Sequence, residues 1–146
     1  MKAKHALPLS AELLIPHRSP VLLIDRLIQF ENLSGIVESV IRDDNMFLKE
    51  NGELEQCAMM ELIAQSFAMV KGYSDLINGK PTGMGFLVGV KDMKFMGSVR
   101  RRETLHIAIE VTGETGDFAL AEGKVRVGDD VIATGNLMVW LPQERS

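Results

Sequence analysis

Residues 54–77 read LEQCAMMELIAQSFAMVKGYSDLI, and this stretch decides the fold. It holds no proline, and Met59, Met60, Leu62, Ile63, Phe67, Met69, Val70 and Tyr73 cover most of a helical wheel. A helix that is apolar nearly all round is a buried one. Asn78-Gly79-Lys80-Pro81 ends it. At about 100° per residue, Ala58, Glu61, Gln65, Ala68 and Gly72 fall in one narrow stripe. The acid in the middle of the helix therefore sits on a row of small residues. A buried carboxylate is costly unless paired or protonated. Two readings stay open: close helix–sheet packing, with Glu61 bonded to backbone or to Gln65, or a carboxyl available as a general acid or base.

Working outward, the segments on either side read as strands. Residues 21–30 and 35–41 precede the helix, joined at Asn32-Leu33-Ser34-Gly35, and residues 10–14 read as a helical turn capped by Ser10 and stopped by Pro16. After the helix come 84–96, 103–112, 118–127 and 131–141. In the second of these Leu105, Ile107, Ile109 and Val111 alternate with Thr104, His106, Ala108 and Glu110, as in a half-buried strand. Short Gly-rich turns between the last three strands predict antiparallel hairpins. Two strands, one long helix and four strands predict an α+β fold, with the helix lying in the concave face of one curved antiparallel sheet.

Composition bounds the function. The chain has 146 residues, 46% of them hydrophobic, which suits one domain over 1–146. Lys+Arg 16 against Asp+Glu 20 argues against a nucleic-acid binder. One cysteine, Cys57, forbids an intrachain disulfide and asks for no oxidising compartment. No window suits a membrane span, and Met1–His5 leads into a Pro-broken stretch without a signal-peptide core. A cytoplasmic protein is expected. No metal-ligand spacing, phosphate loop or nucleophile elbow is present, so neither a metal nor a cofactor of its own is expected.

Ile15-Pro16-His17-Arg18-Ser19-Pro20-Val21-Leu22-Leu23-Ile24-Asp25-Arg26 resembles the "LPHR-P-LLVDR" opening of the 3-hydroxyacyl-acyl-carrier-protein dehydratases. Glu61-Leu62-Ile63-Ala64-Gln65 resembles their central-helix "EALAQ", and the stretch from Phe86 to Phe95 resembles the following "FLAGIDNARF" strand. The matches come in order over roughly residues 13–110. The resemblance implies a hotdog fold, a dimer-based assembly, and action on 3-hydroxyacyl thioesters carried by acyl carrier protein through phosphopantetheine. In that family a histidine in a "GHFP" segment works with the helix glutamate. The glutamate matches Glu61, but residues 44–60 contain no histidine. The chain looks like a divergent dehydratase-like branch, similar to small proteins of aryl-polyene and polyketide-type pathways.

Dehydration needs a base at C2, an acid at the C3 hydroxyl and a donor to the enolate oxygen. Glu61 suits the acid, and His17 is the first candidate base. N–H groups at the helix start, from Cys57 through Ala58 to Met59, suit the enolate. Cys57 itself reads as a buried, inert thiol. Gln65, Gly85 and Gly89 are expected near the substrate, the two glycines alternating on one strand face where backbone can approach closely. Arg100-Arg101-Arg102, with Lys94, forms the basic cluster of an acidic chain and is the candidate dock for an acidic carrier protein. A hotdog thioesterase, or a catalytically silent subunit in a hetero-oligomer, are the alternatives.

Overall fold

The computed structural model describes residues 6–80 and 85–142. Among them are seven strands and one long helix: β1 (Leu9–Ser10), β2 (Arg26–Glu31), β3 (Ser34–Val40), α1 (Cys57–Ile77), β4 (Phe86–Phe95), β5 (Thr104–Thr115), β6 (Phe118–Val127) and β7 (Asp130–Trp140). The strands form one sheet in the order β1-β2-β3-β5-β6-β7-β4, with every pairing antiparallel. This is the hotdog arrangement that the sequence predicts.

Alternation places the concave face. Leu105 and Ile107 on β5, Val37 on β3, Val125 on β6 and Ala133 on β7 are wholly buried, and they meet Met59, Leu62, Ile63, Met69 and Val70 of α1. Each such large side chain contributes about 1.5–3 kcal/mol on burial. Helix and sheet approach so closely that a Cβ on Gly123 would collide with Ile63, and the N-terminal 3-10 turn packs as tightly on the helix, since a Cβ on Gly72 would lie 2.6 Å from the Leu14 carbonyl oxygen.

Three boundaries differ from expectation, each for a tertiary reason. The helix starts at Cys57 rather than at residue 54, because Leu54 is held in extended backbone: it bridges Leu48, and its N–H donates to the Val99 carbonyl at 2.8 Å. Residues 21–25 are not strand. Side chains replace strand partners there: Leu23 N–H donates to Gln65 Oε1, and the Leu23 carbonyl accepts from Ser39 Oγ. The expected turn at 10–14 becomes β1 followed by a 3-10 turn at Ala11–Leu13, with Ser10 Oγ accepting from Glu12 N–H as the cap. Of the strand expected over 84–96, Met84 lies outside the described residues.

Candidate functional site

The open face of α1

The sheet covers only part of α1. Cys57 is exposed, and Met60, Glu61, Ala64, Ala68 and Lys71 are half-buried; at helical spacing these six lie along one side. The expected stripe therefore splits. Ala58, Gln65 and Gly72 face inward and are buried, whereas Glu61 and Ala68 reach the open side. β4, which also contacts α1, pairs with β7 alone among the described residues and leaves its other edge free. Leu87 and Phe95, opposite the inward-facing Val139 and Ala133, remain 48% and 37% exposed. A ten-residue edge strand with one side unpaired and apolar side chains exposed is the kind of surface that another chain can cover.

Glu61 is tied to Gln65 one turn on, whose Nε2 donates to Glu61 Oε2 at 2.8 Å. The same Gln65 Nε2 donates to the Val21 carbonyl at 2.8 Å, and Gln65 Oε1 accepts from Leu23 N–H at 2.9 Å. The carboxyl is thus bonded to Gln65, as the packing reading expects, and is half-buried on the side of the helix away from the core. Gln65 is only 1% exposed and holds the Glu61 carboxyl.

Corrections follow for the helix start. Cys57 is exposed, not a buried inert thiol. The N–H groups of Ala58 and Met59 already donate to the carbonyls of Glu55 and Gln56. Of the three expected enolate donors, the N–H of Cys57 is the one without a hydrogen bond among the described residues. Ala58 itself is wholly buried and offers no side-chain contact to a substrate.

The two glycines do not share a face. A register shift between Leu87 and Gly89 breaks the alternation. A Cβ on Gly85 would press on Leu141 and Val139 at 2.9 and 3.0 Å, so Gly85 packs against the end of β7. Gly89 faces open space.

His17 lies in the loop before residue 20, with Nδ1 buried and without a hydrogen-bond partner among the described residues. No hydrogen bond or ion pair among those residues links any histidine to Glu61. His106 faces Glu38 across β3 and β5 with Nε2 3.2 Å from Oε2, while Arg26 holds the other oxygen at 3.1 Å.

The arginine cluster is largely committed within the chain. Arg102, at φ 71°, forms a two-point pair with Asp43 at 3.1 and 3.0 Å. Those bonds, with the charges of Arg102 and Arg101 behind them, hold the Asp43 carboxyl below the usual aspartate range and raise Arg102. Arg100 donates to the Asn51 carbonyl at 3.0 Å and lies near Glu53. The Arg101 guanidinium is exposed and makes no ion pair among the described residues. Lys94 sits on β4 opposite Thr134, on a different element from the arginine turn. No cluster of three or more His, Cys, Asp or Glu among the described residues could hold a metal ion, and none of their helices is long and apolar enough to cross a membrane.

A long helix packed on one antiparallel sheet, with a carboxyl on the helix's open side, fits a hotdog protein of the dehydratase-like class. The chain belongs to the ApeP-like family, described as ApeP dehydratase, whose model matches residues 9–146. It is 32% identical over 137 residues to a 3-hydroxyacyl-[acyl-carrier-protein] dehydratase FabZ of Natranaerobius thermophilus, covering 90% of this chain and 94% of that one. The corresponding FabZ of Bacillus subtilis is 27% identical over 124 residues, covering 82% and 86%. Among solved structures, the dehydratase heterocomplex ApeI:P from Xenorhabdus doucetiae has a chain that superposes with a TM-score of 0.85 at 20% identity, covering 93% of both chains. A hypothetical thioesterase of Streptococcus pneumoniae, solved with coenzyme A, gives 0.67 at 10% identity, covering 82% and 87%. These two likenesses speak for the fold.

Proposed function

We propose that this chain is a dehydratase subunit acting on 3-hydroxyacyl thioesters carried by acyl carrier protein, in fatty-acid or polyketide-type synthesis in the cytoplasm. The observation that carries the reading is Glu61: a half-buried carboxyl, bonded by a buried glutamine, on the open side of the helix. In the elimination a base removes the C2 proton, the electrons form the C2–C3 double bond, and the C3 hydroxyl leaves as water after taking the proton of Glu61. The product is a 2-enoyl thioester and one water. The Cys57 N–H, at the positive end of α1, suits the thioester oxygen while negative charge builds on it. The phosphopantetheine arm of the substrate is the prosthetic group this reading invokes. Arg101, with Lys94 nearer the β4 edge, offers uncommitted positive charge to an acidic carrier.

The base has two possible sources, His17 in this chain or a histidine of an associated hotdog chain seated on the β4 edge. No histidine among the described residues bonds Glu61, which favours the second and a partner that completes the site, whether another copy or a different hotdog protein. The same observation favours one further reading, a silent subunit that stabilises an active partner. Incubating the protein, alone and with candidate hotdog partners, with a 3-hydroxyacyl carrier thioester and following intact mass separates these. Loss of one water supports dehydration, and loss of the whole acyl group shows a thioesterase. Turnover that needs the partner but survives Glu61→Gln shows the silent subunit.

A further inference from the structure

The orientation of the Gln65 side chain is dictated by groups that have no choice. Leu23 offers it an N–H, which can only donate, and Val21 offers it a carbonyl, which can only accept. Turning the amide over would set NH₂ against N–H and C=O against C=O in a residue that is 1% exposed. Oε1 therefore faces Leu23 and Nε2 faces Val21. The second Nε2 proton then points at Glu61 Oε2, 2.8 Å away. That oxygen meets a donor and must accept. A proton on Oε2 would leave the amide N–H a hydroxyl oxygen, a poorer acceptor than the carbonyl-type oxygen it meets when the proton sits on Oε1.

We propose that Gln65 is the positioning residue of the Glu61 carboxyl, and that it assigns the two oxygens different tasks: Oε2 stays an acceptor, and the proton that Glu61 gives or takes rides on Oε1. Among the described residues Oε1 has no hydrogen bond. This rests on the dehydratase reading for its role in turnover, but not for the orientation itself. It also links the site to the loop, because the glutamine that turns the carboxyl is the group that holds residues 21–23 against α1.

The side-chain amide signals of Gln65 in ¹⁵N-labelled protein test the orientation without any substrate. In Glu61→Ala one Gln65 amide proton should move upfield as it loses its acceptor, while the one bonded to Val21 stays in place. In Glu61→Gln, whose own amide oxygen can accept, the first proton should keep most of its displacement. If neither proton responds to Glu61→Ala, the proposal is overturned. For turnover, folded Gln65→Met should lose roughly tenfold to a hundredfold in kcat, with KM within about twofold, because a loosened carboxyl is misplaced and not lost. An unchanged kcat in folded Gln65→Met would also overturn it. Should that variant fail to fold, the Glu61→Ala amide signals decide. Should wild type show no turnover, the dehydratase reading fails and the same signals still decide the orientation.

Discussion

Replacing Gly123 by Ala tests the contact that sets the height of Glu61 above the sheet. A methyl on Gly123 would collide with Ile63 Cγ2 and lie 3.1 and 3.2 Å from Ile63 Cγ1 and Cβ. Ile63 is β-branched and wholly buried, so its χ1 cannot swing freely to make room. Overpacking of this kind costs about 1–3 kcal/mol. Removing a glycine from a strand interior returns roughly 0.5–1 kcal/mol. The net expectation is a loss of up to about 2.5 kcal/mol, centred near 1 kcal/mol. With a urea slope of about 1–3 kcal/mol/M, the midpoint should fall by roughly 0.5–1 M at fixed protein concentration. The second arm is Ile63→Ala, which alone should cost about 2–5 kcal/mol. In the Gly123→Ala background the new methyl partly fills that space, so the double variant should be more stable than the sum predicts, by about 0.5 kcal/mol or more. Strict additivity, or a Gly123→Ala variant as stable as wild type, would refute the close helix–sheet contact.

Other expectations follow from the same geometry. Cys57 should react readily with a maleimide in the isolated chain and more slowly once a partner covers the open side of α1, as read by labelling rate. Arg101→Ala should weaken carrier-protein binding at low salt and leave the melting temperature unchanged, because its guanidinium holds nothing within the described chain. Arg102→Ala should instead loosen the loop at Asp43. Asp43→Asn tests the acid side: the folded carboxyl lies below its unfolded value, so its contribution is present above the ordinary aspartate range and is lost as pH falls through the depressed folded value. The melting difference between Asp43→Asn and wild type should therefore vanish in strong acid. It should also shrink in high salt, because the pair is exposed.

What was legible in the sequence was whatever periodicity controls. The apolar run of α1 and the alternation of Leu105, Ile107 and Ile109 placed the helix in the concave face, and the Gly116 and Gly128 turns, at φ 59° and 58°, close the last two hairpins as their composition suggests. What was not legible depends on partners distant in sequence. Residues 21–25 look like strand, yet a glutamine more than forty positions on takes their hydrogen bonds. The face of Gly89 depends on a bulge after Leu87 that alternation cannot foresee, and a second irregularity puts Asp92 at φ 55°. Wheel geometry found the Ala58-Glu61-Gln65-Ala68-Gly72 stripe, but which half of it the sheet covers is a property of packing. The commitment of Arg102 to Asp43 likewise joins positions 59 apart.

The central claim is that Glu61 supplies the proton that leaves with the C3 hydroxyl. The direct test is the rate of water loss from a 3-hydroxyacyl carrier thioester, followed by intact mass in the assembled protein, for wild type and Glu61→Gln at matched folded concentration. The account predicts a fall of roughly 10²–10⁴ in the rate for Glu61→Gln, with the melting temperature close to wild type, because the amide keeps its bond to Gln65. Water loss at the wild-type rate in the Gln variant would contradict it.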